Sequence, residues 1–281
     1  MTVVNELKAP SGGALRRCAA NVAASFARLV RRARFHPAKP WLLAPPRLAM
    51  AAGAAIAVFA LGMVFVDAAA IEAARQLPRW LISFFDWITD FGKSGWFLWP
   101  LGILFLILAG LPWQSLTLMS QRVLAAAMVR VGFLFVAIGL PSLFASVVKN
   151  MIGRARPFVG GPANPFLFDP FHWTPAYASL PSGHATTAFA VLAAFGTLWP
   201  RARTVILIYA LLIAASRVVV TAHHPTDVLA GALVGIVGVM LVRRYFALRG
   251  LGFCIAANGI LQQKPGPSLR RIKFVARELL A

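Results

Sequence analysis

Acidic residues are scarce in this chain: eight Asp and Glu stand against 28 Lys and Arg among 281 residues. So few carboxylates leave little for the oxygen-rich cage of a magnesium or calcium site. Cysteine is scarcer still. Cys18 and Cys254 are far apart, which excludes a disulfide framework and any zinc-type ligand spacing and leaves two unpaired thiols expected. Charged residues of both signs make up 13% of the chain, where a soluble domain carries about a quarter. With 59% hydrophobic residues and a mean hydropathy of +0.75, the chain is expected to be a multi-pass membrane protein.

The net charge of +20 raises the question of nucleic acid, but its distribution answers against it. Nine of the 28 cations precede residue 48 and eight follow residue 242. Single-strand readers need basic grooves with aromatic platforms, whereas these charges flank apolar runs. They read as topology signals and as contacts to anionic lipid headgroups at both termini. No nucleic-acid partner is expected.

A span needs about 20 apolar residues, and six stretches qualify, near 48–66, 94–111, 123–148, 182–199, 204–221 and 226–242. The third contains Arg130 and Pro141, so it is expected to start among headgroups and to be open to a kink. Six spans put both termini on one side. By alternate sides the cations number 20 with the termini and 7 opposite, apart from Arg130, so the termini are expected to be cytoplasmic. The organisation expected is a basic N-terminal segment 1–47, a six-span domain 48–242 and a basic C-terminal tail 243–281.

Residues 1–47 lack the apolar core and small-residue cleavage site of a secretory signal, and no apolar core closely follows Arg16-Arg17. Val22, Phe26, Leu29 and Val30 recur at helical spacing among Arg28, Arg31, Arg32 and Arg34, the pattern of a basic amphipathic helix on an anionic membrane face. A disordered basic tail is the alternative. Leu269, Ile272, Val275 and Leu279, among Arg270, Arg271, Lys273 and Arg277, predict a second interfacial helix. In the 67–93 connection, Trp80, Phe84, Phe85 and Trp87 suit a short helix lying at the interface. Gly231 and Gly235 read as close helix packing more readily than as a dimer motif.

Three polar clusters fall on the outer side under that topology. Lys149, Arg154 and Arg156 close the third span; they ask for an anion, or else form a snorkelling collar. Pro181-Ser182-Gly183-His184 opens the fourth. Ser182 at the N-cap leaves the backbone N–H groups of Gly183 and His184 outward, a ready phosphate site, and His184 has the chemistry of a general acid–base. A capping serine with an incidental histidine is the plainer alternative. The third cluster runs from Ser216-Arg217 through His223 and His224 to Asp227. His223 and Asp227 are four apart, so the carboxylate can reach a ring nitrogen across one turn and leave the other as a nucleophile. Together the clusters supply cations, a helix N-terminus, two histidines and an aspartate, an inventory suited to phosphoryl transfer.

These residues resemble the type 2 phosphatidic acid phosphatase (PAP2) superfamily, shared with vanadium haloperoxidases. Its pattern of Lys-x6-Arg-Pro, Pro-Ser-Gly-His and Ser-Arg-x5-His-x3-Asp is matched by Lys149 with Arg156-Pro157, by Pro181 to His184, and by Ser216-Arg217 with His223 and Asp227. The resemblance implies an all-α, six-span bundle with short interfacial helices, acting as a lipid phosphatase of the cytoplasmic (inner) membrane with its site facing the periplasm. It implies catalysis by His223, His184 and Asp227 through a phosphohistidine, with Lys149, Arg156, Ser182, Gly183 and Arg217 holding the phosphate, and neither metal nor cofactor. Arg154 is placed outside this set as a headgroup contact, and His224 as a residue shaping the pocket. Undecaprenyl diphosphate, phosphatidylglycerophosphate, phosphatidate and lipid A phosphates are the candidate substrates, with the aromatic 158–180 loop as a discriminating lid. A lipid phosphotransferase using the same intermediate, or a non-enzymatic lipid-binding or transport protein, are the alternatives.

Overall fold

The computed structural model describes residues 13–33, 45–256 and 258–280. In chain order the helices are α1 (Ala14–Val30), α2 (Pro45–Phe65), α3 (Asp67–Arg75), α4 (Arg79–Thr89), α5 (Gly95–Gly110), α6 (Leu118–Ile152), α7 (Gly183–Leu198), α8 (Arg203–Val219) and α9 (Pro225–Leu248). The strands β1 (Phe253–Ile255) and β2 (Leu261–Gln263) and the helix α10 (Leu269–Leu280) follow. The fold is mostly helical, as expected. The strands depart from the all-α expectation: they pair antiparallel, Cys254 opposite Gln262, inside the segment read as a tail.

Among the described residues, five helical stretches are long and apolar enough to cross a membrane: Pro46–Phe65, Arg79–Gly110, Leu118–Ile152, Pro200–Val219 and Pro225–Leu248. They display Met50, Ile56, Phe65, Ile103, Leu143, Val205 and Met240 outward, which water would penalise and lipid tails accept. α7 is apolar but has only 16 residues. At about 1.5 Å per residue it falls short of a hydrocarbon core of roughly 30 Å. α6 begins earlier and ends later than expected and runs through Pro141 without a break.

The described residues fall into two compact units. One consists of α1, Leu98–Phe135 and the chain from Val242 onward. Its core gathers Ala109, Trp113, Leu116, Leu124, Met128 and Val275, with Cys18, Val22 and Leu279 packed against it. The expected N-terminal amphipathic helix is therefore α1, but its first half packs on protein, and Asn21 Nδ2 donates to the Ala109 carbonyl at 2.7 Å. The alternative of a disordered tail does not apply to Ala14–Val30; the rest of the N-terminal segment, Arg34 included, lies mostly outside the described residues. α10 is likewise docked. Glu278 accepts from Thr117 N (2.5 Å) and Thr117 Oγ1 (3.0 Å) and from the Ser120 hydroxyl. A carboxylate there satisfies orphan donors at the start of α6, and these hydrogen bonds, Ser120 first, hold Glu278 below its usual pKa.

The other unit holds α2 through Phe97 and Val136–Leu241. Ala188, Ala210 and Ile213 form a core with Ile88, Phe189 and Tyr209 around it, joining α4, α7 and α8. α9 lies directly on α7. A methyl group on Gly231 would come within 2.5 Å of the Ser182 carbonyl, and one on Gly235 within 2.5 Å of the Thr186 carbonyl. The two glycines thus serve close helix packing within the chain.

Candidate active site

The site is built where four helix ends meet chain reversals. α6 stops at Ile152 because Gly153 adopts φ +65°, the left-handed conformation that ends helices. A Cβ at Gly153 would lie 1.8 Å from the Asp169 carbonyl oxygen. The turn sends Arg154 inward, where the backbone of 153–156 is laced to the following loop: Ala155 N to Leu167 O, Asp169 N to Gly153 O and Arg156 N to Ala176 O. The residues expected to form a lid are thus pinned at 167–169 and 176, while Phe166, Phe171 and Trp173 stay exposed.

Arg154 is fully buried. Its Nη2 lies 2.7 Å from Asp67 Oδ2 and its Nη1 2.5 Å from Asp227 Oδ1; Nη1 also donates to Thr226 Oγ1 at 2.8 Å and Nε to the Pro165 carbonyl at 3.0 Å. This corrects its placement as a headgroup contact. With every donor but one accounted for and two carboxylates on its fork, it is a brace. Asp67 completes the brace by accepting from Thr226 N at 2.9 Å and Thr226 Oγ1 at 2.5 Å.

Asp227, in the first turn of α9, is held on both oxygens. Oδ1 takes Arg154; Oδ2 takes the Ser179 hydroxyl at 2.6 Å and the His224 backbone N–H at 2.9 Å. His223 Nδ1 is 3.8 Å from Oδ2, too far for a hydrogen bond, but 3.4 Å from Ser179 Oγ. The expected direct reach across one turn is therefore bridged by Ser179. His223 is 3% exposed. Burial pushes its pKa down to about 4, although the Asp227 carboxylate pulls the other way. The imidazole is neutral at ordinary pH, with Nδ1 directed at the Ser179–Asp227 pair and Nε2 left for chemistry. His224 is fully buried; its Nδ1 lies 3.5 Å from Asp227 Oδ2, and among the described residues neither ring nitrogen has a hydrogen-bond partner.

The residues expected to hold an anion come from α6 and the turn after it, the start of α7 and the end of α8. Lys149 sits in the last turn of α6 and Arg217 in that of α8. Arg217 Nη1 donates to Thr89 Oγ1 at 2.5 Å, and its carbonyl accepts from His223 N at 3.1 Å. Ser182 stands at the N-cap position of α7 but makes no capping bond; its backbone N–H donates to the Asp227 carbonyl at 2.9 Å. Its buried hydroxyl, with Nε of Arg156 and Nε of Arg217, has no partner among the described residues. Buried orphan donors are costly, and an anion is the kind of partner that each of the three can take. Burial lowers the pKa of Arg156, and Asp227 partly offsets this. Nothing lies within 4 Å of where a Gly183 side chain would start. His184 is in electrostatic reach of Arg217, His223 and Arg156, with Gly92 packed against its ring. Among the described residues no group of three or more His, Cys, Asp or Glu is placed to hold a metal.

Sequence reasoning missed Ser179, Asp67, Thr226 and Thr89. One signal was available: Asp67 ends an apolar span, and a carboxylate there needs a cation or protonation.

A helical membrane protein carrying buried histidines beside unpartnered cationic donors belongs to the class that handles phosphate esters. The family model described as "PAP2 superfamily" matches residues 130–251. A lipid A 1-phosphatase of Rhizobium etli is 33% identical over 201 residues, covering 71% of this chain and 85% of that protein. A second lipid A 1-phosphatase, of Rhizobium johnstonii, is 34% identical over 200 residues, covering 71% and 81%. The chain belongs to the PAP2 superfamily and is one of its bacterial membrane lipid phosphatases. Among solved structures, Aquifex aeolicus LpxE is 22% identical at a TM-score of 0.46, covering 64% of this chain and 96% of that one. A phosphatidylglycerolphosphate phosphatase from Bacillus subtilis is 18% identical at a TM-score of 0.42, covering 82% and 95%.

Proposed function

We propose that the chain hydrolyses the 1-phosphate of lipid A, or a lipid phosphate close to it, through a phosphohistidine on His223. The observation that carries this reading is the buried, neutral His223 whose Nδ1 faces Ser179 and Asp227. His223 Nε2 attacks phosphorus while the P–O bond to the lipid breaks. His184 gives its proton to the leaving oxygen, then takes one from water, whose oxygen attacks phosphorus and breaks the P–N bond. Inorganic phosphate leaves and both histidines return to their starting states. Lys149, Arg156, Arg217, the Ser182 hydroxyl and the Gly183 N–H hold the non-bridging oxygens, whose charge the transition state spreads. No step requires a metal or a cofactor. The choice of lipid A rests on the names of the two relatives.

The same reading takes α7 as a sixth, short span and residues 48–242 as the catalytic domain. It puts the chain in the inner membrane, with basic termini in the cytoplasm and the site at the periplasmic face, as the cation asymmetry supports. The experiment is phosphate release by the detergent-purified protein, with EDTA present, from lipid A 1-phosphate, undecaprenyl diphosphate, phosphatidylglycerophosphate and phosphatidate. Lipid A 1-phosphate is expected to be turned over fastest, and His223→Ala to abolish release. Equal release by His223→Ala would overturn the mechanism, and a preference for another lipid would overturn the substrate.

A further inference from the structure

We propose that a second, non-catalytic site in the unit built on α1 binds the phosphate headgroup of an anionic membrane lipid. A cavity of about 410 Å³ there is lined by Arg28, Arg31 and Arg32 from the end of α1, Arg130 from α6, Arg249 after α9 and Lys264 after β2. Among the described residues no carboxylate lines it. Arg32, Arg130, Arg249 and Lys264 converging on one space repel one another, so the arrangement favours an anion at its centre.

The walls are fixed. Arg130 donates to the carbonyls of Ala126 at 2.9 Å and Lys264 at 2.8 Å, and Lys264 Nζ to that of Gly250 at 2.7 Å. The Arg249 guanidinium lies 3.5 Å from the centre of the Tyr245 ring, and its buried Nε has no partner among the described residues. A planar cation held against a ring with an unsatisfied donor is well prepared to grip a phosphate oxygen.

The apolar neighbours identify the source of that phosphate. Cys18, Val22, Phe26 and Val30 form one stripe at intervals of four on α1. The first two pack into the core, but Phe26 and Val30 are 65% and 59% exposed. Along the chain they flank Arg28 and lead into Arg31 and Arg32, so the segment that carries the cations also carries an exposed apolar surface. A soluble phosphate leaves that surface in water. A lipid covers it with acyl chain while its headgroup takes the cations. This inference is independent of the reaction at His223.

The test is retention of dioleoyl phosphatidylglycerol, a phosphodiester, by the full-length protein in native mass spectrometry. Dioleoyl phosphatidylcholine is the control and inorganic phosphate the competitor. Phosphatidylglycerol is expected to be retained over phosphatidylcholine by about tenfold or more. Arg32→Glu with Arg249→Glu should erase the preference, whereas Arg32→Lys with Arg249→Lys should keep it. Equal retention of the two lipids, or an unchanged preference after charge reversal, would overturn the site. Displacement of the lipid by millimolar phosphate would overturn the lipid as occupant and leave a soluble anion. Should the reversed pair fail to fold, Arg32→Gln and Arg249→Gln singly must each weaken the preference, and no change in either would be equally fatal.

Discussion

The two cation-rich regions differ in what their charges face. Beside His223, Arg154 is locked between Asp67 and Asp227 at 2.7 and 2.5 Å, and its role is over before substrate arrives. In the basic cavity, Arg130 and Lys264 hold backbone carbonyls, and among the described residues no acid lines the space. In a membrane protein the two kinds of cation look alike in sequence. A carboxylate partner marks a brace; a carbonyl partner leaves the positive charge available. In the proposed catalytic site Arg217 reaches only the Thr89 hydroxyl, and the Nε atoms of Arg156 and Arg217 have no partner among the described residues, so their charge is available too.

The largest effect that can sharpen this contrast is at the nucleophile: His223→Ala is expected to cut phosphate release by at least about 10³-fold, measured under saturating substrate, with the fold retained. Next is the brace. Arg154→Ala leaves two buried carboxylates uncompensated and should cost roughly 3–5 kcal/mol. The check is thermal unfolding in detergent; a change under about 1 kcal/mol would end the distinction drawn here.

Ser179→Ala should lower kcat by about tenfold to a hundredfold with KM little changed, because the bridge orients His223 without touching substrate. Ser179→Thr, which restores the hydroxyl, should recover part of the loss. The pH profile of kcat/KM gives a related reading. Because the pKa of His223 is lowered to about 4, against about 6.5 for a free imidazole, its nucleophilic form persists through pH 5 and is lost as pH falls through 4. The stability sign is the same: between about 6.5 and 4 the unfolded chain takes up a proton that the folded one refuses, so the fold weakens as pH falls. A limb that follows His223 at about 6.5 would contradict the burial argument. Smallest of all, Arg32→Glu with Arg249→Glu should leave turnover within about twofold while lipid preference collapses.

Much of the fold is legible because hydropathy in a membrane is nearly a ruler: α2, α5, α8 and α9 begin and end within a few residues of the apolar runs, except that α9 continues six residues past 242. The extra turns of α6 were invisible because Ser120, Arg122, Lys149 and Asn150 are polar, although hydrogen bonding extends the helix through them. The docking of α10 depends on contacts across more than a hundred residues, such as Glu278 with Thr117, and the β1–β2 pairing, though local, is only three residues long on each strand. Within the site, spacing alone relates His223 to Asp227 and Ser182 to His184. It does not separate Arg154 from Arg156. The two differ only in which way the chain faces after Gly153, and that is decided by a left-handed turn against the Asp169 carbonyl. Ser179 was hidden for the opposite reason: nothing local distinguishes it from any loop serine until the chain brings Asp227 to it.

The glycine contact between α7 and α9 has a consequence for how this enzyme can change. With Gly231 and Gly235 against the Ser182 and Thr186 carbonyls, and Ser182 N bonded to the Asp227 carbonyl, the proposed phosphate cradle and the proposed nucleophile's support are held too close to part for a bulkier group. New substrate ranges, whether selected in nature or in the laboratory, are therefore expected to arise from insertions and replacements around Phe166, Phe171 and Trp173, with the gap between these two helices left at its present width.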